Sequence, residues 1–225
     1  MYDLPSSGSV KELGNVGLAS QGHAPATVVP VPPTTTDFSS IAQEISDYDC
    51  AIMSIPSGPL TGVAAAGASL GSKTKYYAFP GTLTDSAISQ AGGALDSAVT
   101  MSPFPPSGDA VWDDAKKIVG DMSSEENGGW SYMSYQSTWV GYQLLAEVLK
   151  DSTDVSAAGV KAAFDAASAV DGLGFTPELS FTQEFPAPGM NRIFNTKVMF
   201  HDIKDGALHQ DGDYVDLGAS LTPAS

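Results

Sequence analysis

Ser69 lies in Gly67-Ala68-Ser69-Leu70-Gly71, the G-x-S-x-G spacing that presents a nucleophilic serine at the elbow of α/β-hydrolases. That elbow needs a strand before the serine and a helix after it. Here an Ala/Gly-rich helical run precedes Ser69 and an apolar strand run follows, so the order is reversed and a small-residue helix terminus is the plainer reading. Gly71-Ser72-Lys73-Thr74 resembles the end of a phosphate-binding loop, but Ser72 stands where the second glycine belongs and a strand follows instead of a helix. His23, His201 and His209 are far apart, with no H-E-x-x-H, and read as surface or turn histidines. Asp211, Asp213 and Asp216 have calcium-ligand chemistry, but the oxygen-ligand spacing of an EF-hand and its closing Glu are missing, so 211–213 reads as a hairpin tip. Glu125-Glu126 reads as a solvated loop. Cys50, the single cysteine, cannot form an internal disulfide and reads as a small buried apolar residue of a strand. Neither a general acid/base pair nor a metal cluster emerges, so the chemistry to look for is binding.

The elements that would position a binding site are clearer. Residues 27–81 alternate apolar strand runs with helical runs. A strand over 27–31 leads to a helix over 38–46 capped by Asp37. A strand over 50–55, bounded by Pro56-Ser57-Gly58-Pro59 as a turn, leads to an Ala/Gly-rich helix over 60–70 and a strand over 75–79. Alternation of this kind predicts a parallel sheet covered by helices on both faces, with ligands held where strands end and loops begin. A helix over 9–21 precedes it, and residues 1–8 read as a strand tail with its loop. A helix over 84–91 capped by Thr84 and a strand over 98–101 follow. Ser102-Pro103-Phe104-Pro105-Pro106-Ser107-Gly108 cannot continue a strand and marks a rigid connection. Beyond it the pattern is helical over 110–119, 132–149 and 156–167, and Asp171-Gly172-Leu173-Gly174 closes the region. Strands are expected at 179–181 and 196–203, with Lys204-Asp205-Gly206 as a hairpin turn.

Composition agrees with a globular binding domain and excludes other classes. The 225 residues carry 26 Asp and Glu against 10 Lys and Arg, a net charge of -16, and a mean hydropathy near zero. That field repels nucleic acid. Glycine, serine and threonine interrupt every apolar stretch before the roughly 20 residues of a membrane span. A charged segment followed by an apolar one, as in an export signal, is not found at the start of the sequence.

The ordered set Gly8, Thr36-Asp37-Phe38-Ser39, Asp49-Cys50-Ala51-Ile52 and Phe79-Pro80-Gly81, then a Pro-rich crossover and a long aromatic helix, resembles the type I periplasmic binding proteins. The branched-chain amino acid (Leu/Ile/Val) substrate-binding subgroup of ABC transporters is the nearest in pattern. The resemblance runs from residue 1 to about 181, more loosely to the hairpin near Asp205, and covers only the C-terminal part of that family. It implies two α/β lobes around a ligand cleft. Residues 1–102 and 176–225 would form the second lobe, residues 103–175 the C-terminal helical part of the first, and further sequence with an export signal would lie upstream.

The same resemblance implies ligand-facing positions at Ser7, Pro56, Ser57, Pro80 and Thr82, and hinge positions at Pro103, Phe104, Pro105 and Gly174. In amino-acid binders the position of Pro80 often holds a Glu for the ligand ammonium. Its replacement here implies a neutral, anionic or aromatic solute rather than an ordinary α-amino acid. The implied function is capture of a small-molecule solute outside the cytoplasm for the membrane permease of an ABC transporter. No cofactor, no metal and no catalytic residue is implied, and a homodimer could cover the exposed lobe remnant. A ligand-sensing regulator of the same fold and a hydrolase acting through Ser69 are the alternatives.

Overall fold

The computed structural model describes residues 7–120, 129–185 and 191–218. The expected strand tail over 1–6 and the loop glutamates Glu125 and Glu126 lie outside them. Helix α1 (Ser7–Ser20) comes first, so Ser7 and Gly8 stand in a helix rather than in the expected loop. Then follow α2 (Ser39–Ile45), β1 (Cys50–Met53), α3 (Ser57–Ser69), β2 (Lys75–Ala78), α4 (Asp85–Ala91) and β3 (Val99–Ser102). A 3-10 turn, Ala110–Trp112, leads into α5 (Asp113–Val119), and a second, Gly129–Ser131, into α6 (Met133–Leu149). Helix α7 (Ala157–Ala166) and the hairpin β4 (Lys197–Lys204) and β5 (Ala207–Asp216) complete the order.

The fold is α/β. Its five strands lie in the order β1-β2-β3-β4-β5, with β1 to β3 parallel and the closing hairpin antiparallel, so the sheet is mixed. Side chains alternate across it with period two. Met53, Tyr76, Ala78 and Ile203 point to one face and pack with Ile41 and Ile45 of α2, Leu60 and Val63 of α3, and Ile88 of α4. Full burial of side chains such as Leu60 and Val63 is worth about 1.5–3 kcal/mol each. The opposite face keeps Ile52, Tyr77 and Phe79 exposed, Ile52 at 61%. Cys50 shares the parity of Ile52, which is why the cysteine expected to be buried is exposed.

Other expectations are corrected for local reasons. Residues 27–31 form no strand beyond a bridge at Val31, because Pro30, Pro32 and Pro33 lack the N–H groups a ladder uses. Asp37 is not the N-cap of α2; Phe38 is, while Asp37 Oδ1 accepts the Ser39 N–H at 2.9 Å. That bond, with the Ser39 hydroxyl, holds the Asp37 carboxyl below the usual carboxylate range. Leu179 makes only a bridge to Val170 in place of a strand over 179–181. The turn expected at 211–213 lies inside β5, where Gly212 takes φ 78° and the register slips opposite Val198 and Phe200, a bulge rather than a hairpin tip. The true tip is Asp205-Gly206, both with positive φ (52° and 76°), as a two-residue hairpin turn requires.

Thr84 caps α4 as expected, its hydroxyl accepting the Ala87 N–H at 3.2 Å. Thr84→Ala is expected to cost about 1 kcal/mol, read as a lower urea midpoint with an unchanged slope.

Candidate functional site

The C-terminal ends of β1 and β2 lie side by side because the strands are parallel and in register, Met53 beside Ala78. The chain leaves β1 through Ile55 and enters α3 with Pro56 at its N-cap and Ser57 as first helical residue. This corrects the expectation of a turn over 56–59. Proline is tolerated in a first helical turn, where its missing N–H has no partner to lose, so Pro59 fits inside the helix. Helix α3 has no side-chain cap and no acidic residue in its first turn; Pro56 and Pro59 have no N–H and Leu60 N–H bonds to the Pro56 carbonyl at 3.0 Å, so Ser57 and Gly58 supply the N–H groups at the positive end of its dipole.

Of the five ligand-facing candidates, Ser57 and Thr82 come together. Ser57 Oγ donates to the Thr82 carbonyl at 2.8 Å, and Thr82 Oγ1 donates to the Phe79 carbonyl at 2.7 Å. Next to them in the chain, Pro56 is exposed and Pro80 half-buried. Ser7 is the first residue of α1. Pro56, Ser57, Pro80 and Thr82 carry no charged side chain; both hydroxyls spend their protons on protein carbonyls and present acceptor lone pairs, so the donors available to an anion are the first-turn N–H groups of α3. Ser69 ends α3 and its hydroxyl donates to the Ala65 carbonyl at 2.9 Å, the back-bonding of an ordinary helical serine.

Opposite the β2 loop stands the start of α6. A Cβ on Gly81 would lie 3.0 Å from Met133 Cβ, and Gly81 takes φ 78°, so a glycine permits this approach. Next to it the crossover is clasped to α4. Ser107 Oγ donates to both Asp85 carboxylate oxygens (3.1 and 3.0 Å), Ser131 Oγ accepts the Asp85 N–H at 2.8 Å, and Lys116 Nζ donates to the Ser107 carbonyl at 2.7 Å.

The crossover itself is held by aromatic packing and by the closing hairpin. Phe104 and Phe175 belong to a second apolar cluster with Trp112, Ala115, Trp130 and Val140, separate from the one on the sheet. Trp112 Nε1 donates to the Pro105 carbonyl at 3.2 Å. The Tyr214 hydroxyl lies 3.4 Å from the Pro103 carbonyl and 3.3 Å from that of Phe175, within reach of both connections between the clusters. Burial, then the nearby Asp109 charge, pushes its phenol up to about 12, so it stays a donor. Gly174, with φ 80°, follows Leu173 at φ 53° in the return connection.

His201 corrects the surface reading: it is 2% exposed, on the inward face of β4 between Met199 and Ile203. Burial pushes its imidazole down to about 4, against the opposing effects of the Asp202 charge and a hydrogen bond with the Phe104 backbone, so the ring is neutral. Strand alternation over 197–204 carried the signal, since residues 199, 201 and 203 share one parity with two apolar neighbours. Asp85, Ser107 and Tyr214 had no comparable signal, because their partners lie far away in sequence.

A family model described as "Periplasmic binding protein" matches residues 4–198. Among curated protein sequences no match was found. Several solved structures share the fold. A fatty acid ABC transporter substrate-binding protein from Thermomonospora curvata superposes with a TM-score of 0.71 at 15% identity, over 96% of this chain and 56% of its own. A solute-binding protein of an ABC transporter from R. palustris, in complex with benzoate, gives 0.63 at 17% identity, over 94% and 56%. A branched chain amino acid ABC transporter protein from Thermus thermophilus with bound valine gives 0.64 at 12% identity, over 88% and 54%. The chain thus spans little more than half the length of the structures it matches.

Proposed function

Because the chain belongs to the periplasmic binding protein family, we propose that it is part of an extracytoplasmic solute-binding protein. It captures a small molecule between two lobes and delivers it to the membrane permease of an ABC transporter. Residues 1–102 with 176–225 belong to one lobe and 103–175 to the other, and the connections at 103–105 and 174 act as hinges. The observation that carries this reading is the pair of separate apolar clusters with Tyr214 within reach of the carbonyls of both connections between them.

The solute is a carboxylic acid. The uncapped N-terminus of α3, free of first-turn acids, supports an anion at the ends of β1 and β2. The fatty acid, benzoate and valine named for the three relatives share a carboxylate. The neutral loop around Pro80 supports a ligand without an ammonium group.

A thermal-shift screen of the full-length protein against fatty acids, aromatic acids and amino acids tests this. At a hundred times its Kd, a true ligand stabilises by about 2.7 kcal/mol. Gly58 is exposed, and a Cβ at that position would meet no atom within 4 Å. Gly58→Asp should therefore keep the fold and favour the helix, yet weaken a carboxylate ligand at least tenfold, since two carboxylates about 4 Å apart repel by several kcal/mol at protein surfaces. Stabilisation by uncharged solutes alone, or binding indifferent to Gly58→Asp, would refute the assignment.

A further inference from the structure

Beside the crossover lies a small, partly open pocket lined by Gly81 and Leu83 of the β2 loop, Thr100 and Ser102 of β3, Gln136 of α6 and His201 of β4. Its space for water centres is about 20 Å³. About 10–15 Å³ of this kind is enough to hold one water, and although Leu83, Met101 and Met133 make most of the lining apolar, His201, Gln136 and Ser102 give it polar groups. Among the described residues, His201 Nε2 is buried without a hydrogen-bond partner. The ring's hydrogen bond with the Phe104 backbone favours the protonated form, as donation of a ring N–H to a carbonyl does, and this uses the other nitrogen. Nε2 is then an acceptor lone pair, and a buried acceptor left unsatisfied is costly. Neither neighbouring hydroxyl bonds to it: Thr100 Oγ1 donates to the Ala78 carbonyl at 3.1 Å, and Ser102 Oγ accepts from the Phe104 N–H at 3.0 Å and keeps its own proton.

We infer that this pocket is a binding site for one neutral O–H donor, an internal water in the solute-free protein, which donates to His201 Nε2. The site lies where the closing hairpin, the crossover and α6 meet. Gln136 and Ser131, which also line the pocket, belong to the helical part, so a water held there sits between that part and β4. The space is far too small for an aromatic or fatty acid, so the site is separate from the carboxylate position at α3 and does not depend on that reading.

The test is a high-resolution crystal structure of the solute-free full-length protein. The expected result is an ordered water about 2.7–3.1 Å from His201 Nε2. In solution, long-range nitrogen–proton NMR of the ring should report a protonated Nδ1 and an acceptor Nε2, and a water nuclear Overhauser effect should reach the ring protons. The effect should vanish in His201→Phe, while Tyr214→Phe should retain it. A dry cavity, a protein donor on Nε2, a protonated Nε2 or a solute atom in place of water would each overturn the inference.

Discussion

Trp112→Ala is expected to lower the unfolding free energy by about 3–5 kcal/mol, a large share of the roughly 5–15 kcal/mol that holds a typical domain together. Trp112 is 0% exposed. Its ring meets Phe104 edge-on at 6.3 Å, stacks with Trp130 at 6.1 Å and tilts against Phe175 at 4.9 Å. Truncation leaves a cavity among three aromatic neighbours and removes the donor to the Pro105 carbonyl. Two of those neighbours, and the carbonyl, belong to the connections between the apolar clusters, so the damage falls on those connections as well as on the helical cluster. Urea denaturation followed by intrinsic fluorescence and by circular dichroism measures it. Trp139→Ala, at a partly buried position packed on the same cluster, serves as the comparison and should cost less. A loss below about 1 kcal/mol for Trp112→Ala would show that the cluster collapses around the gap.

The second large effect is a pH dependence carried by His201. Its folded pKa, about 4, lies below the ordinary value of 6.5, so the unfolded chain binds the proton more readily. The contribution of the neutral buried ring is complete above pH 6.5 and is lost as pH falls through about 4; over that window it amounts to about 3 kcal/mol. Asp202 and the Phe104 backbone already act to keep the proton on, so desolvation is the effect that wins. Asp37, Asp154 and Asp216 are held below the usual carboxylate range by hydrogen bonds and lose that stabilisation at still lower pH. Comparing the chain with His201→Gln from pH 7 down to about 2 separates the two: the variant should show a flatter profile through pH 6.5–4 and the same fall below it. Parallel profiles would remove His201 from the acid response.

Much of the architecture is legible along the chain because it rests on short-range rules. The apolar runs at 50–55 and 75–79, the threonine cap before α4, the Asp205-Gly206 turn and the proline-rich break after β3 each follow from residue type and local spacing. The expectations that fail are those where context overrides a local signal. Prolines at 30, 32 and 33 spoil a strand that hydropathy favours, Gly212 bends a strand instead of ending one, and Pro59 lies within a helix that its ring can open but not continue. Cys50 falls in the expected strand but on its open side, because a strand's parity says which residues share a face and not which face is covered.

The candidate site divides along the same line. Sequence alone determined the binding-protein pattern, the absence of charge at Pro56, Ser57, Pro80 and Thr82, and the position of the crossover, all properties of contiguous residues. Tertiary structure decided that Ser57 bonds to Thr82, that Asp85 clasps Ser107 and Ser131, and that Tyr214 reaches carbonyls at both 103 and 175. It also decided that His201 is buried against the crossover rather than at the surface. These contacts join residues 22 to 111 positions apart. They exist only once the sheet has set its strand order and register, which no local preference of the chain encodes.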